Sequence, residues 1–314
     1  MVENTAMDKE ERQLERFVRE HGEDGATFAP TNVEEAIGGS FVETDEIESI
    51  QDRVRNWLDV PRPVHIVGPT GCGKTALALS IAAARDQPVV WVNGDELIDT
   101  GSLVGEHAGK AQYKERDNFV RGVMKKKSII RDRWVDNPLS VAVQNGATLV
   151  YNEFSRTKPA AHNVLLSVFE EGVLDRPGQR GEKRIVEVDP EFRAIFTSNS
   201  TEYAGVHRPQ DALLDRFIGV HLDYYERDTE IEIVAARIDD LDEDTIEEVV
   251  DIVRDLRDRL ELHVGTRAAV MIAEGLVAFG EDELVEVCVD VLGSKAESFE
   301  DVEEIRDEIE DVAS

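Results

Sequence analysis

One run, VHIVGPTGCGKTALALSIAAAR, restricts this chain more than any other part of it. VHIV (64–67) reads as a buried strand and TALALSIAAAR (75–85) as a helix, and GPTGCGKT (68–75) between them matches the phosphate-binding pattern G-x-x-x-x-G-K-[ST]. In that setting Gly68, Pro69, Thr70, Gly71, Cys72 and Gly73 form a loop that turns backbone N–H groups onto phosphates. Lys74 supplies a point charge to the outer phosphates, and the Thr75 hydroxyl reaches a magnesium ion. A purely structural glycine turn is the alternative, and the strand before the loop and helix after it speak against that. Cys72 is expected only to fill a gap. The ligands implied are ATP and Mg2+.

The rest of the chain continues the alternation. PVVWVN (88–93) is the next strand, which makes the sheet parallel and the fold class α/β, with helices on both faces. Before it, a helix capped by Asp45, with Glu48 three residues on, carries Ile47, Ile50, Val54 and Leu58 on one face and stops at Pro61 and Pro63. After PVVWVN a long polar helical region is expected to about Asn137, then the strand ATLVYN and a helix in PAAHNVLLSVFEEG with Val164, Leu165, Val168 and Phe169 inward. VLDRPGQRGEKRIVEV reads as a hairpin, its turn formers being Pro177, Gly178 and Gly181, and FRAIFTSN and FIGVHL supply two more strands. From about Tyr225 only amphipathic helices follow, at 228–238, 244–262, 267–279, 281–292 and 299–312. The expected division is an acidic, loosely attached arm over 1–43 with one short helix in EERQLERFVREHG, a nucleotide-binding domain over 44–225, and an all-α domain over 226–314.

Composition narrows the partners. Asp and Glu number 67 against 35 Lys and Arg, a formal net charge of −32, which argues against free nucleic acid. The charges are spread over several helices, as on a surface adapted to strong salt, where the Debye length shrinks to about 3 Å or less. An acidic binding function is the alternative. No stretch reaches the ~18 consecutive apolar residues of a membrane span, and MVENTAMDKEERQ lacks a basic and an apolar leader region, so a cytoplasmic protein is expected. The two cysteines, Cys72 and Cys288, and the seven scattered histidines suggest neither disulfides nor a metal knuckle. One island is basic, with Lys110, Lys114, Arg121, Lys125, Lys126 and Lys127 among its members, and Arg180, Lys183 and Arg184 add to the hairpin. It is either a solvated helix face or a docking surface for an acidic partner.

TLVYNEF (148–154) ends a strand in Asn152 and Glu153. A parallel sheet would set this strand beside the P-loop strand, so that Glu153 polarises the water attacking the terminal phosphate. Asn199, ending FTSN, can hold the same water through its amide.

The P-loop, the carboxylate-ended strand, Asn199, ALLDRF (212–217) and GTRAA (265–269), in this order, resemble the nucleotide-handling motifs of AAA+ ATPases over about residues 45–300. The hairpin near 172–191 resembles the helix-2 insert of the MoxR-type branch. NSTEYAGVHRPQDALLDRF (199–217), with the halophile-like composition, resembles the gas vesicle protein N family of haloarchaea, cytoplasmic ATPases needed for gas vesicle assembly. The resemblance implies that Arg216 is an arginine finger donated in trans, that Arg267 is a second sensor reaching from a helical lid, and that the chain forms a ring, a hexamer, working on other gas vesicle proteins in association with the vesicle. It also exposes a departure, because Asn152 stands where an Asp normally helps to hold magnesium. Losing that charge weakens a metal typically about 10- to 100-fold, so a slow or magnesium-demanding ATPase is expected. Three readings follow: a remodelling or assembly ATPase; an ATP-binding assembly factor or minor vesicle component that does not turn over; and, disfavoured by charge, a DNA-dependent motor.

Overall fold

The computed structural model describes residues 41–116, 126–200, 207–259, 264–294, 296 and 298–312. The helix expected in the arm before residue 41 and the EYAGV part of the 199–217 string lie outside them.

α1 (Asp45–Asp59) starts one residue earlier than its expected cap allows. Thr44 is extended and its hydroxyl accepts the Ile47 N–H at 3.3 Å, so Thr44 is the cap and Asp45 is already helical. β1 (Val64–Gly68), α2 (Lys74–Ala83) and β2 (Val89–Asn93) follow as the sequence predicts.

Among the described residues the long polar helix expected before Asn137 is not formed. α3 (Thr100–Val104) is a single turn, and β3 (Gly105–Arg116) and β4 (Lys126–Asp136) form an antiparallel hairpin that carries most of the basic island. Lysine and arginine favour helix by propensity, but GEHAGKAQYKER has no apolar stripe to bury, and without one a helix gains little from packing. At the hairpin's base a Cβ on Gly105 would lie 2.4 Å from the Val135 carbonyl, an approach that only glycine permits. Residues 117–125, with Arg121 and Lys125, lie outside the described residues.

α4 (Pro138–Gln144), unassigned from sequence, leads into β5 (Thr148–Asn152), α5 (Asn163–Glu170), and the short antiparallel pair β6 (Val173–Asp175) and β7 (Ile185–Glu187). β8 (Arg193–Asn199), α6 (Asp211–Leu214) and β9 (Ile218–His221) complete the α/β part. The two hairpins touch: His107 Nε2 donates to the Gly178 carbonyl at 2.8 Å, and the Trp134 ring lies where a Gly178 Cβ would. Among the described residues only helices follow: α7 (Arg227–Ala235), α8 (Glu243–Arg259), α9 (Thr266–Phe279), α10 (Leu284–Gly293) and α11 (Phe299–Val312). None of the described helices is long and apolar enough to cross a membrane.

The sheet has five parallel strands in the order β2-β5-β8-β1-β9. β5 is therefore not beside the P-loop strand; β8 stands between them. Strand alternation sorts the core into layers. Leu149, Tyr151, Ala194 and Phe196 face one cluster with Phe154, Leu165 and Phe217, while Val150, Ile195 and Ile66 face another with Val54, Leu58 and Leu77. A third cluster, among them Val253, Leu256, Ile272 and Leu292, lies within the C-terminal helices and the turns between them.

Two histidines are buried in or beside this sheet. His65 pairs with the Ser198 hydroxyl at 2.7 Å, and His162 stacks on Phe154 at 4.0 Å between centroids. Burial first, then the neighbouring His221 and His207, lowers both to about 4. The unfolded chain therefore takes up protons between pH 6.5 and 4 while the folded chain does not. Stability should fall over that window by up to ~1.4 kcal/mol per pH unit per histidine and be flat, as regards these groups, above it. Thermal melts across pH 7.5 to 4.5 check this. His65→Gln should flatten the acid limb, and an unchanged slope would assign the loss to other groups.

Candidate functional site

Register brings the site together. Gly68 pairs with Asn199 and Asn93 with Asn152, so the P-loop and the ends of β8, β5 and β2 share the carboxyl edge of the sheet, where ligands of such folds bind. Gly71 and Gly73 have φ of 84° and 83°, which lets the loop present its amides. A Cβ on Gly68 would lie 2.7 Å from the Leu222 carbonyl, and buried Cys72 fills the space beside it. The ammonium of Lys74, a residue only 7% exposed, donates to the Gly68 carbonyl at 3.0 Å and the Pro69 carbonyl at 2.6 Å. Burial lowers its pKa, against the upward pull of Cys72 and Glu153. A desolvated ammonium has the most to gain from phosphate charge.

Thr75 Oγ donates to Asn152 Oδ1 at 2.7 Å, and Thr197 Oγ donates to the same oxygen at 2.8 Å. Thr75 and Asn152 thus offer two neighbouring oxygens, the donor type magnesium prefers, and the set fits that ion without supplying a negative charge. Glu153 has φ 51° and ψ 38°, a left-handed conformation uncommon for its type and often found where function demands it. Its amide donates to Thr197 Oγ at 3.3 Å, and Asn199 Nδ2 donates to its carboxylate at 3.1 and 3.3 Å. Asn199 and Glu153 therefore meet because the strand that separates β5 from β1 is β8, which ends in Asn199.

The two arginines differ. Arg267 is drawn to the site, its Cβ 3.6 Å from where a Gly71 Cβ would be. Arg216 pairs with Glu170 and donates to the Ala212 carbonyl.

Several residues that hold this geometry were not marked by the sequence. A Cβ on Gly94 would sit 2.0 Å from the Glu153 carbonyl. Gly265, which caps α9, lies against the P-loop so closely that a Cβ would be 2.8 Å from Gly71 backbone atoms; its only sequence signal was its place at the head of GTRAA. The buried Tyr225 ring lies against Gly73. Behind them Glu230, 1% exposed, accepts from Arg254 at 2.7 Å, Arg257 at 2.8 Å and Thr266 at 2.8 Å. Arg254 also donates to the Tyr225 carbonyl at 3.0 Å, and Arg257 to the Val264 carbonyl at 2.7 Å. This knot fixes the start of α9, and with it Arg267, against the chain that leaves the sheet.

Comparison with known proteins agrees with the architecture. The AAA domain of the dynein-related subfamily matches residues 63–217. The gas vesicle ATPase GvpN of Haloferax mediterranei is 60% identical over 273 residues, covering 86% of this chain and 79% of that protein. The gas vesicle ATPase GvpN1 of Halobacterium salinarum is 54% identical over 308 residues, covering 96% of this chain and 88% of that protein. Among solved structures, NtrX from Brucella abortus in complex with ADP superposes with a TM-score of 0.51 at 17% identity, over 87% of this chain and 63% of that one, a likeness of fold.

The Gly94 contact yields a sharp expectation. Gly94→Ala must displace the Glu153 backbone, so phosphate release should fall at least tenfold while nucleotide affinity changes little. Wild-type turnover in that variant would show that the position of Glu153 is not held from β2.

Proposed function

The chain belongs to the gas vesicle ATPase GvpN family of AAA domain proteins, and on that premise we propose that it hydrolyses ATP to drive assembly or remodelling of other gas vesicle proteins. The observation that carries this reading is the meeting of Lys74, Thr75, Asn152, Glu153 and Asn199 on one sheet edge, with Arg267 beside the P-loop. The loop amides and Lys74 hold the phosphates. Glu153 takes a proton from the attacking water, a P–O bond forms at the terminal phosphorus, and the bond to the ADP leaving oxygen breaks. Asn199 orients the Glu153 carboxylate for that step and can share the water. Magnesium, held by Thr75 and Asn152, would neutralise phosphate charge, and the neutral Asn152 makes the site magnesium-demanding and slow.

The working division is a nucleotide-binding domain over 44–225 and a helical lid over 226–314, with the lid answering to nucleotide through Arg267. The resemblance puts the MoxR-type insert at the hairpin near 172–191, which precedes the Asn199 strand; the hairpin of β3 and β4, flanked by α3 and α4, is a second candidate for it. Arg216 serves the ATP of an adjacent subunit in a ring, a hexamer in this reading, located in the cytoplasm and at the growing vesicle. Asn152 favours a second reading, an ATP-holding assembly factor or minor vesicle component without turnover.

Glu153→Gln should bind ATP and release no phosphate, since an amide cannot accept the proton. If wild type proves as silent as this variant at saturating magnesium, the second reading stands. Lys74→Ala should lose nucleotide binding, and mixing it with Arg216→Ala subunits should restore part of the activity, each chain supplying what its neighbour lacks. Absence of recovery despite co-assembly would return Arg216 to its local pair with Glu170.

A further inference from the structure

Asn152 is tied into a chain of hydrogen bonds that starts outside the phosphate site. Trp91 Nε1 donates to Asn93 Oδ1 at 3.0 Å, and Asn152 Nδ2 donates to the same oxygen at 3.0 Å. Asn93 and Asn152 are cross-strand partners in the β2–β5 ladder, and the Gly94 amide donates to the Asn152 carbonyl at 2.7 Å, so neither backbone is free to shift. The polarity of the chain is forced. An indole N–H only donates, so the Asn93 atom it meets must be oxygen. That oxygen in turn requires a donor from residue 152, which only the amide NH2 supplies. The remaining Asn152 atom, Oδ1, is then the one offered to Thr75 and Thr197, both of which donate to it.

An aspartate at 152 fails at the first of these contacts. Its carboxylate would set an oxygen about 3 Å from Asn93 Oδ1, two acceptors with no proton between them. Asn93 could relieve the clash by rotating its amide, but its NH2 would then face the Trp91 N–H, donor against donor. Trp91 thus reaches the phosphate site through two intervening bonds.

We propose that Trp91 and Asn93 are positioning residues that specify an amide at 152, direct its carbonyl oxygen at the Thr75 hydroxyl, and make the site reject the aspartate that AAA+ proteins generally carry there. The site is therefore a neutral-ligand variant built as such, in which the ion arrives with the nucleotide and is not gathered beforehand by protein charge. This rests on the nucleotide-site reading of Lys74, Thr75 and Asn152.

The test measures binding of a fluorescent ADP analogue as magnesium is titrated, which does not depend on turnover. Wild type, Asn152→Asp, Trp91→Phe and the double variant are compared, with Asn93→Ala and Asn93→Ala/Asn152→Asp as a second way to release the constraint. Asn152→Asp alone should leave the magnesium midpoint within about threefold of wild type. The same substitution in either released background should lower it about 10- to 100-fold, the usual size of a metal-site effect of this kind. In Asn152→Asp the Trp91 indole proton, identified by its absence from Trp91→Phe, should also lose its hydrogen-bonded chemical shift. A midpoint that falls equally in all three backgrounds, or an indole proton indifferent to residue 152, would overturn the inference and leave the nucleotide site intact. Wild type that binds no nucleotide at any magnesium concentration would overturn both.

Discussion

The structure depends on one strand pairing. β8 runs parallel between β1 and β5, and its register sets Asn199 opposite Gly68. Much of the polar site is fixed by that insertion. Thr197 bridges Asn152 and Glu153, Asn199 reaches the Glu153 carboxylate, and His65 is held from the other side by Ser198. Parallel pairing gives the strand no hairpin to define its neighbours, so the position rests on burial on both faces, with Ile195 in one layer and Phe196 in the other. A slip of one residue would exchange those faces and scatter the site.

What the sequence disclosed follows from this. The P-loop is legible because its chemistry is local: strand, glycine turns, lysine and hydroxyl lie within a dozen residues. The longer amphipathic helices after Tyr225, α8 and α9 above all, are legible because each buries a continuous stripe. Strand order is not, since nothing in TLVYN says which parallel neighbour it takes, and β5 lies one strand farther from β1 than the simplest arrangement would have it. The 105–136 hairpin escaped because its charged residues favour helix while their spacing gives it no face to bury. Gly94 and Gly265 escaped for another reason. Each is there for a backbone that approaches from a distant segment, Glu153 in one case and Gly71 in the other.

The site residues named from sequence divide in the same way. Lys74, Thr75, Asn152, Glu153 and Asn199 are gathered by the sheet edge, and Arg267 by the cap of α9. Arg216 is held at the surface by Glu170, a partner forty-six residues away that no local pattern announces. Trp91 and Asn93 looked like ordinary strand residues, and their bearing on Asn152 appears only when β2 and β5 are paired.

The contact between Gly265 and Gly71 has a mechanical consequence. Two glycine backbones lie against each other with no side chain between them, while Glu230, Arg254 and Arg257 tie α7, α8 and the start of α9 into one stiff piece on the Gly265 side. Such a joint is a fulcrum with a very short inner arm, placed at the loop that receives the phosphates. Any rotation about it moves the P-loop end least and the helices farthest from it most. A displacement too small to break a hydrogen bond at the fulcrum is thereby magnified into travel at the rim, where a neighbouring molecule could feel it.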